Sequence, residues 1–207
     1  MSNLLKLIDQ HLIIETGTSW PLGRESLQCI YDLVKPDSLT METGIGYSTL
    51  VFAERQSHHT VCFPAAEAEH NLKQYAQNIN LSMDRVSFQV GYSQITLPHL
   101  FSKLDNTFYR RGLDFSLIDG DHAWPIPAMD FYFISHMTKI GGYILFDDMQ
   151  IRSVRMVTEF IEPSQHWQII KSMDQGRSML VKKLGVEECE WFGTQAYNYA
   201  ELLVPLL

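Results

Sequence analysis

The sequence predicts an α/β fold, in which a parallel β-sheet is covered by helices on both faces. Segments typical of strands alternate with segments typical of helices through five units, as parallel sheets require. The strand segments are nearly continuous apolar runs, which is expected where both faces of a sheet are buried. At 207 residues the chain has the length of one domain. We therefore expect a single domain over residues 1–207, with an N-terminal helix or cap at 1–20 and an aromatic tail at 186–207.

Hydrophobic spacing places the elements in order along the chain. Leu27, Ile30 and Val34 recur with helical spacing, and Pro36 ends this helix because the residue before a proline avoids the helical region. Further helices are predicted at residues 48–54, 72–79, 125–137 and 154–161. Strands are predicted at residues 38–42, 60–63, 86–90, 113–119 and 142–147, and a final hairpin at 167–172 and 178–182. His58 and His59 precede the second strand and are expected in solvent.

Charge and cysteine content limit the partners and the compartment. The chain carries 16 Lys and Arg against 24 Asp and Glu, a net charge of −8. An acidic surface argues against nucleic acid and anionic membranes as partners. The three cysteines, Cys29, Cys62 and Cys189, are odd in number and scattered, which favours reduced thiols over a disulfide framework. The N-terminus shows no signal peptide, so we expect a cytoplasmic protein.

A glycine-containing loop follows the first predicted strand. Gly44 and Gly46 allow a tight turn and a close approach to a ligand, with a helix N-terminus behind them. Ligands of such sheets bind at the carboxyl ends of the strands. Thr49 stands where a dinucleotide-binding loop has its third glycine, which argues against a nicotinamide cofactor. A plain tight turn is the alternative interpretation.

Carboxylates follow the fourth and fifth predicted strands. Asp119 and Asp121 follow the fourth, and Asp147 and Asp148 follow the fifth. If these strands are neighbours, the carboxylates crowd into one region, and a divalent cation such as Mg²⁺ or Ca²⁺ would relieve their repulsion. Aspartates that only cap the following helices are the alternative. His122 could remove a proton from a substrate hydroxyl, with Asp121 as the rival base, or it could be an ordinary loop histidine.

Three runs of the sequence resemble one protein family. Residues 39–53 (LTMETGIGYSTLVFA) resemble the first motif of class I S-adenosylmethionine-dependent methyltransferases. Residues 114–124 (DFSLIDGDHAW) and 140–148 (IGGYILFDD) are similar to the subgroup, called methyltransferase family 24, whose fourth and fifth strands end in I-D-G-D-H and F-D-D. The resemblance covers residues 20–185. It implies a Rossmann-like, doubly wound and mainly parallel sheet of seven strands, the last two forming an antiparallel hairpin.

The resemblance also implies which residues form the site. The S-adenosylmethionine site would comprise Glu42, Gly44, Gly46, Ser48, Tyr92, Ser93 and Asp119. By the pattern of the metal-dependent relatives, the ligands of Mg²⁺ or another divalent cation would be Asp119, Asp147 and Asp148. Those relatives carry a base three residues after the first ligand, a position that His122 occupies here.

Two positions depart from the family pattern. Phe63 stands at the end of the second strand, where the family has an acid for the ribose hydroxyls, and Tyr92 replaces an acid near the adenine. The leading hypothesis is an S-adenosylmethionine-dependent O-methyltransferase that acts on a small molecule with the help of a divalent metal. The alternative is a non-catalytic binding or assembly protein of the same fold with a degenerate cofactor site.

The last 22 residues form an apolar and aromatic tail. Trp191, Phe192, Tyr197 and Tyr199 precede the apolar end Leu202–Leu207. An apolar end of this kind rarely stays in water. We expect it to pack on its own domain, to cover the active site or to join a partner subunit in a homo-oligomer.

Overall fold

A computed structural model gives the fold, and it describes residues 3–10, 21–103 and 111–186. The helices are α1 (Asn3–Gln10), α2 (Arg24–Leu33), α3 (Tyr47–Glu54), α4 (Ala66–Asn78), α5 (Ser93–Ser102), α6 (Ile126–Met137) and α7 (Arg152–Ile161). The strands are β1 (Leu39–Thr43), β2 (His58–Phe63), β3 (Val86–Val90), β4 (Leu113–Ile118), β5 (Thr138–Phe146), β6 (Trp167–Met173) and β7 (Ser178–Lys183). A short 3₁₀ turn, Asp174–Gly176, connects β6 to β7.

The seven strands form one sheet in the order β3-β2-β1-β4-β5-β7-β6. Strands β1 to β5 pair in parallel, and β7 runs antiparallel to both β5 and β6. The predicted Rossmann-like, mainly parallel fold with a terminal antiparallel hairpin is therefore confirmed. The chain winds outward from β1 in one direction and from β4 in the other. Because ligands of doubly wound sheets bind where the winding reverses, the carboxyl ends of β1 and β4 are where a site is expected.

The core lies in two layers, one on each face of the sheet. One layer buries α1, α2 and α3, and Leu5, Ile30 and Leu50 lie at its centre with no exposed surface. The other layer buries α6 and α7, whose Ile134 and Val157 pack against the opposite face. Both faces of the central strands are thus covered, which explains their continuous apolar sequences.

The structure differs from the predicted elements in several places, including helix α4, which begins at Ala66 and not at residue 72. Helix α5 was not predicted, because Pro98 interrupts its helical pattern. Strand β5 begins at Thr138, four residues before the predicted start at residue 142. It continues through Gly141, which has a φ of +86°, and its pairing with β4 shifts register there. A glycine that marks a bulge in a strand gives the same sequence signal as one that ends it.

The expectation that His59 lies in solvent is wrong. Strand β2 begins at His58, whose side chain is exposed, whereas His59 is only 1% exposed. The His59 ring stacks on Phe52 with centroids 4.2 Å apart, and its Nδ1 lies 2.9 Å from the Thr40 hydroxyl. A histidine can be buried in this way because both ring nitrogens have polar neighbours.

The hairpin turn caps the N-terminus of α2 across the molecule. The Asp174 carboxylate accepts hydrogen bonds from the backbone N–H groups of Glu25 and Ser26, at 3.0 and 3.1 Å. The Ser26 hydroxyl donates to the same carboxylate at 2.5 Å. Two unpaired amides at the start of the helix are thereby satisfied. The cap joins α2 to the β6–β7 turn, which precedes the residues that β7 brings to the end of β5.

The structure bears on the predictions for the cysteines, for membrane spans and for the two termini. Cys29 and Cys62 are free and buried, whereas Cys189 lies outside the described residues. Within the described part of the chain, no helix is long and apolar enough to cross a membrane. The first segment of the predicted N-terminal cap is helix α1, and residues 11–20 and the tail from 187 to 207 lie outside the described residues.

Candidate functional site

A cavity of about 780 Å³ lies at the carboxyl ends of β1, β2 and β4. Every predicted site residue lines this cavity except Glu42 and Asp147. It joins the glycine loop (residues 44–46) to the loop at 119–122 that follows β4. The parallel strands bring these loops to the same edge of the sheet, at the point where the winding reverses.

Gly44 is the point of closest approach between the two loops. Its φ is +92°, and a Cβ on this residue would lie 2.2 Å from the backbone oxygen of Asp119. Both the backbone angle and the space therefore require glycine. Gly46 is different, because its φ of 175° is extended and a Cβ there would meet nothing within 4 Å. The space beside Gly46 belongs to the cavity and is open to a ligand.

Glu42 lies beneath the glycine loop and has no exposed surface. The Thr49 hydroxyl donates a hydrogen bond to Glu42 Oε1 and accepts one from the Gly46 N–H at 3.2 Å. On the other side, His59 Nε2 lies 3.1 Å from the same Oε1 atom. Glu42 therefore supports the loop from below. Thr49, which breaks the dinucleotide-binding pattern in the sequence, is the link between this carboxylate and the loop.

The wall of the cavity beyond β2 is largely apolar. Phe63 is 1% exposed and packs edge-on against Phe88, with ring centroids 6.1 Å apart. Its neighbours in this wall are Pro64, Ala65, Ala68 and Leu72. Tyr92 is exposed at the rim. The two departures from the family pattern thus make this side of the cavity apolar and aromatic.

Asp130 is a buried acid behind the cavity that the sequence analysis did not select. It lies on α6 and is 1% exposed. Burial raises its pKa to about 6, and the hydroxyl groups of Ser93 and Thr43 offset part of the rise. A Cβ on the cavity residue Gly120 would lie 3.3 Å from the Asp130 carboxylate, so only one glycine separates this acid from the cavity.

The carboxylate cluster consists of Asp119, Asp147 and Asp148, at the ends of the neighbouring strands β4 and β5. Burial raises the pKa of Asp119 well above its ordinary value, and the negative charges of Asp147 and Asp148 raise it further. Asp147 has no exposed surface, and burial raises its pKa as well. Crowded carboxylates of this kind require compensating positive charge.

Arg177 supplies positive charge to the cluster, and sequence reasoning missed it. Its Nη2 lies 2.7 Å from Asp147 Oδ2, and its Nε lies 3.2 Å from Asp148 Oδ1. The two carboxylates raise the pKa of the guanidinium, although burial alone would lower it. Arg177 reaches them because β7 returns beside β5. Its position directly after the predicted hairpin turn is the one sequence signal that could have found it.

His122 faces Asp148 from the loop after β4. Its Nε2 lies 3.2 Å from Asp148 Oδ2, and its backbone oxygen accepts a hydrogen bond of 2.5 Å from the Ser153 hydroxyl. Asp121 is exposed, and its Oδ1 accepts from the Ala123 N–H at 2.8 Å. His122 is therefore oriented by Asp148, whereas Asp121 stabilises the turn of the loop.

Two of the three predicted metal ligands, together with His122, lie close enough to one another to hold a divalent cation. Among the described residues, Asp119, His122 and Asp148 each offer a ligand atom within 4.8 Å of the others. Two carboxylates and an imidazole are a donor set that suits a divalent cation such as Mn²⁺, and Mg²⁺ when water fills the remaining positions. Asp147 does not converge with them, because its two oxygens face Arg177 and Ser178.

A family comparison covers the same part of the chain. The family model described as "Methyltransferase domain" matches residues 41–149. This span contains the glycine loop and the carboxylate cluster, but neither Arg177 nor the hairpin that carries it. No curated protein sequence matches the chain.

Solved structures similar to this chain share its fold at low sequence identity. An O-methyltransferase from Bacillus cereus, in complex with SAH, is 18% identical with a TM-score of 0.68, covering 88% of this chain and 92% of its own. The O-methyltransferase TomG from Streptomyces achromogenes, involved in tomaymycin synthesis and in complex with SAM, is 13% identical with a TM-score of 0.67, covering 89% and 91%. An rRNA methylase from Streptococcus thermophilus is 12% identical with a TM-score of 0.56, covering 78% and 96%.

Proposed function

This chain belongs to the family of methyltransferase domains whose model matches residues 41–149, and we propose that it transfers a methyl group from S-adenosylmethionine to a hydroxyl group of a small molecule. The observation that carries the proposal is one cavity that joins the glycine loop to the histidine–aspartate pair of His122 and Asp148. The first supplies a place for the methyl donor, and the second supplies a base beside it.

The donor would lie along the glycine loop, with its adenosyl part against the apolar wall near Phe63 and Tyr92. The open space at Gly46 and the N-terminus of α3 suit the charged end of the donor. The O-methyltransferase structures from B. cereus and S. achromogenes, in complex with SAH and SAM, support this choice of donor.

His122 would act as the base. In the transfer, the acceptor oxygen forms a bond to the methyl carbon while the bond from that carbon to sulfur breaks, and the hydroxyl proton passes to His122 Nδ1, the ring nitrogen that does not contact Asp148. Asp148 Oδ2, at 3.2 Å, orients the imidazole and stabilises it once it is protonated. Alignment of oxygen, carbon and sulfur by the cavity walls supplies much of the remaining rate.

A divalent cation would be held by Asp119 and Asp148, with His122 as a third group within reach. When bound, it supplies Lewis-acid chemistry that lowers the pKa of an acceptor hydroxyl. If His122 were a ligand, Asp121 would be the remaining candidate for the base. Turnover that stops in EDTA and returns with Mg²⁺ or Mn²⁺ would support metal assistance, and full turnover in EDTA would refute it.

The first test is calorimetric titration of the full chain with S-adenosylmethionine, in Mg²⁺ and then in EDTA. Saturable binding with a micromolar dissociation constant is expected, and it would be followed by a screen of hydroxyl-bearing acceptors. The test variant is Gly46→Leu, which fills the open space beside the loop and should weaken binding. Equal binding by this variant would contradict the proposed position of the donor.

The second candidate function is a non-catalytic binding or assembly protein with the same fold. The buried Phe63 and the apolar wall around it favour this candidate, because the ribose hydroxyls would meet no carboxylate there. If a folded protein binds no S-adenosylmethionine, either with metal or without it, this candidate is favoured over methyl transfer.

A small molecule is the proposed acceptor, and the net charge of −8 supports it over nucleic acid.

Free, buried Cys29 and Cys62 support a reducing compartment such as the cytoplasm. We also propose that the tail after residue 186 joins copies of the chain in a homo-oligomer. Size-exclusion chromatography with light scattering on the full chain and on a chain ending at residue 186 would test it.

A further inference from the structure

Asp147 occupies a position where the family resemblance implies a metal ligand, yet the protein itself uses both of its oxygens. Oδ1 accepts a hydrogen bond of 2.5 Å from the Ser178 hydroxyl, and Oδ2 accepts one of 2.7 Å from Arg177 Nη2. The side chain has no exposed surface and does not line the cavity. A cation in the cavity could reach this carboxylate only after Arg177 had moved away.

Asp148, the next residue, divides its two oxygens between two directions. Oδ1 accepts hydrogen bonds from Arg177 Nε at 3.2 Å and from Gln150 Nε2 at 2.7 Å. Oδ2 faces His122 Nε2 at 3.2 Å. The arginine and the glutamine therefore fix the carboxylate so that one oxygen points toward the protein and the other toward the cavity.

We propose that Asp147 is a positioning residue that anchors Arg177, and that Arg177 orients Asp148 so that Oδ2 alone joins Asp119 in holding a divalent cation, with His122 beside them as the base. This inference rests on the cation site of the proposed function and deepens it, because it assigns separate roles to the two aspartates of the F-D-D strand end. Asp148 would be a ligand through one oxygen, and Asp147 would act only through the guanidinium.

The charge of Arg177 has a second consequence. A guanidinium that contacts two of the three clustered carboxylates cancels part of their negative charge and repels a cation bound nearby. Arg177 therefore orients the ligand and at the same time limits the affinity of the site. These two effects can be separated, because a lysine at position 177 keeps the positive charge but loses the paired contacts, whereas a glutamine loses both.

The test is Mn²⁺ binding to the full-length chain, measured by electron paramagnetic resonance and by calorimetry, without any acceptor. Asp148→Ala should weaken Mn²⁺ binding by more than about a hundredfold, because it removes the ligand oxygen altogether. Asp147→Ala should weaken it by only about tenfold, because it loosens the anchor of Arg177 and leaves the ligands in place. Equal losses in the two variants would make Asp147 a ligand and overturn the proposal.

Arg177→Lys and Arg177→Gln provide the second arm. Arg177→Lys keeps the positive charge but loses the paired contacts that orient Asp148, so it should weaken Mn²⁺ binding by about tenfold. Arg177→Gln also removes the repulsive charge, so it should bind Mn²⁺ more tightly than Arg177→Lys does. The matched control is Arg155→Gln, which removes the same charge from an exposed Arg155–Glu159 pair on α7 and should leave Mn²⁺ binding unchanged. Unchanged Mn²⁺ binding by a folded Arg177→Lys protein overturns the orienting role. Binding by Arg177→Gln that is no tighter than binding by Arg177→Lys overturns the effect of the charge.

The titration also separates this inference from the proposed function. If the natural chain binds no Mn²⁺ but binds S-adenosylmethionine, the cation site is refuted while methyl transfer stands. If it binds Mn²⁺ with the expected variant pattern but no S-adenosylmethionine, the positioning role stands and the methyl-transfer proposal fails.

Discussion

The glycine loop and the carboxylate cluster both follow strands of the same sheet, and each includes a fully buried carboxylate, but the two carboxylates take their partners from different parts of the chain. Glu42 is held by Thr49 and His59, which belong to the same β1–α3–β2 unit. Asp147 is held by Arg177, which arrives on the antiparallel hairpin. The first region can therefore form from a continuous segment, whereas the second depends on the completed topology of the sheet.

The largest expected effect separates the chemistry of the two regions. His122→Ala should lower methyl transfer by about 10²–10⁴-fold, because it removes the base, while binding of S-adenosylmethionine at the glycine loop stays near that of the natural protein. Single-turnover kinetics and calorimetry measure the two quantities. If the variant retains full turnover, the base must be Asp121, and the histidine–aspartate pair has only a structural role.

Gly44 joins the two regions, so its substitution should damage both. Gly44→Ala places a Cβ 2.2 Å from the Asp119 backbone oxygen at a φ of +92°. We expect a loss of about 3 kcal/mol in the free energy of unfolding, from backbone strain and overpacking. Gly46→Ala is the matched control, and its stability should change by less than about 0.5 kcal/mol because its Cβ meets nothing. Urea unfolding of both variants gives the comparison, and equal losses would contradict it.

The glycine loop can be tested alone through Thr49. Thr49→Val keeps the shape of the side chain but removes the hydroxyl that links Glu42 to the Gly46 N–H. We expect the free energy of unfolding to fall by about 2 kcal/mol, because a buried carboxylate loses a donor. Thr60→Val, a half-buried threonine of β2, serves as the control for the same chemical change. An unchanged stability in Thr49→Val would mean that His59 alone satisfies Glu42.

The contrast between the regions also explains which features could be predicted from the sequence and which could not. The order of strands and helices and the position of the glycine loop follow from local patterns, and the structure confirms the fold. The partners of the buried carboxylates do not follow from such patterns. His59 is a polar residue of a type that is usually exposed to solvent. Only the packing of α3 over β2 shows that it is buried. Arg177 becomes a partner of Asp147 only when the last two strands reverse direction.

Asp130 lies behind both regions and should make stability depend on pH. Its pKa is raised from 3.8 to about 6, so folding favours the protonated carboxyl, and this contribution is lost as the pH rises through 6. Asp130→Asn should therefore gain about 2 kcal/mol of unfolding free energy relative to the natural protein between pH 4.5 and pH 8. Urea unfolding at both pH values measures the difference. Asp84→Asn, at an exposed site, removes a similar charge, and the same pH dependence there would contradict the assignment.

The smallest expected effect concerns the turn that delivers Arg177 to the carboxylate cluster. Asp174 caps α2 and has a φ of +52°, a backbone angle that asparagine tolerates better than alanine. Asp174→Ala should lower the free energy of unfolding by about 1.5 kcal/mol, and Asp174→Asn by about 0.5 kcal/mol, because asparagine keeps both the cap and the angle. Since this cap ties the hairpin turn to α2, the alanine variant should also show faster hydrogen exchange in the hairpin, and the glycine loop should not. Faster exchange in both regions would mean that they fold as one unit, whereas exchange confined to the hairpin would confirm that the carboxylate cluster depends on a part of the sheet that the glycine loop does not need.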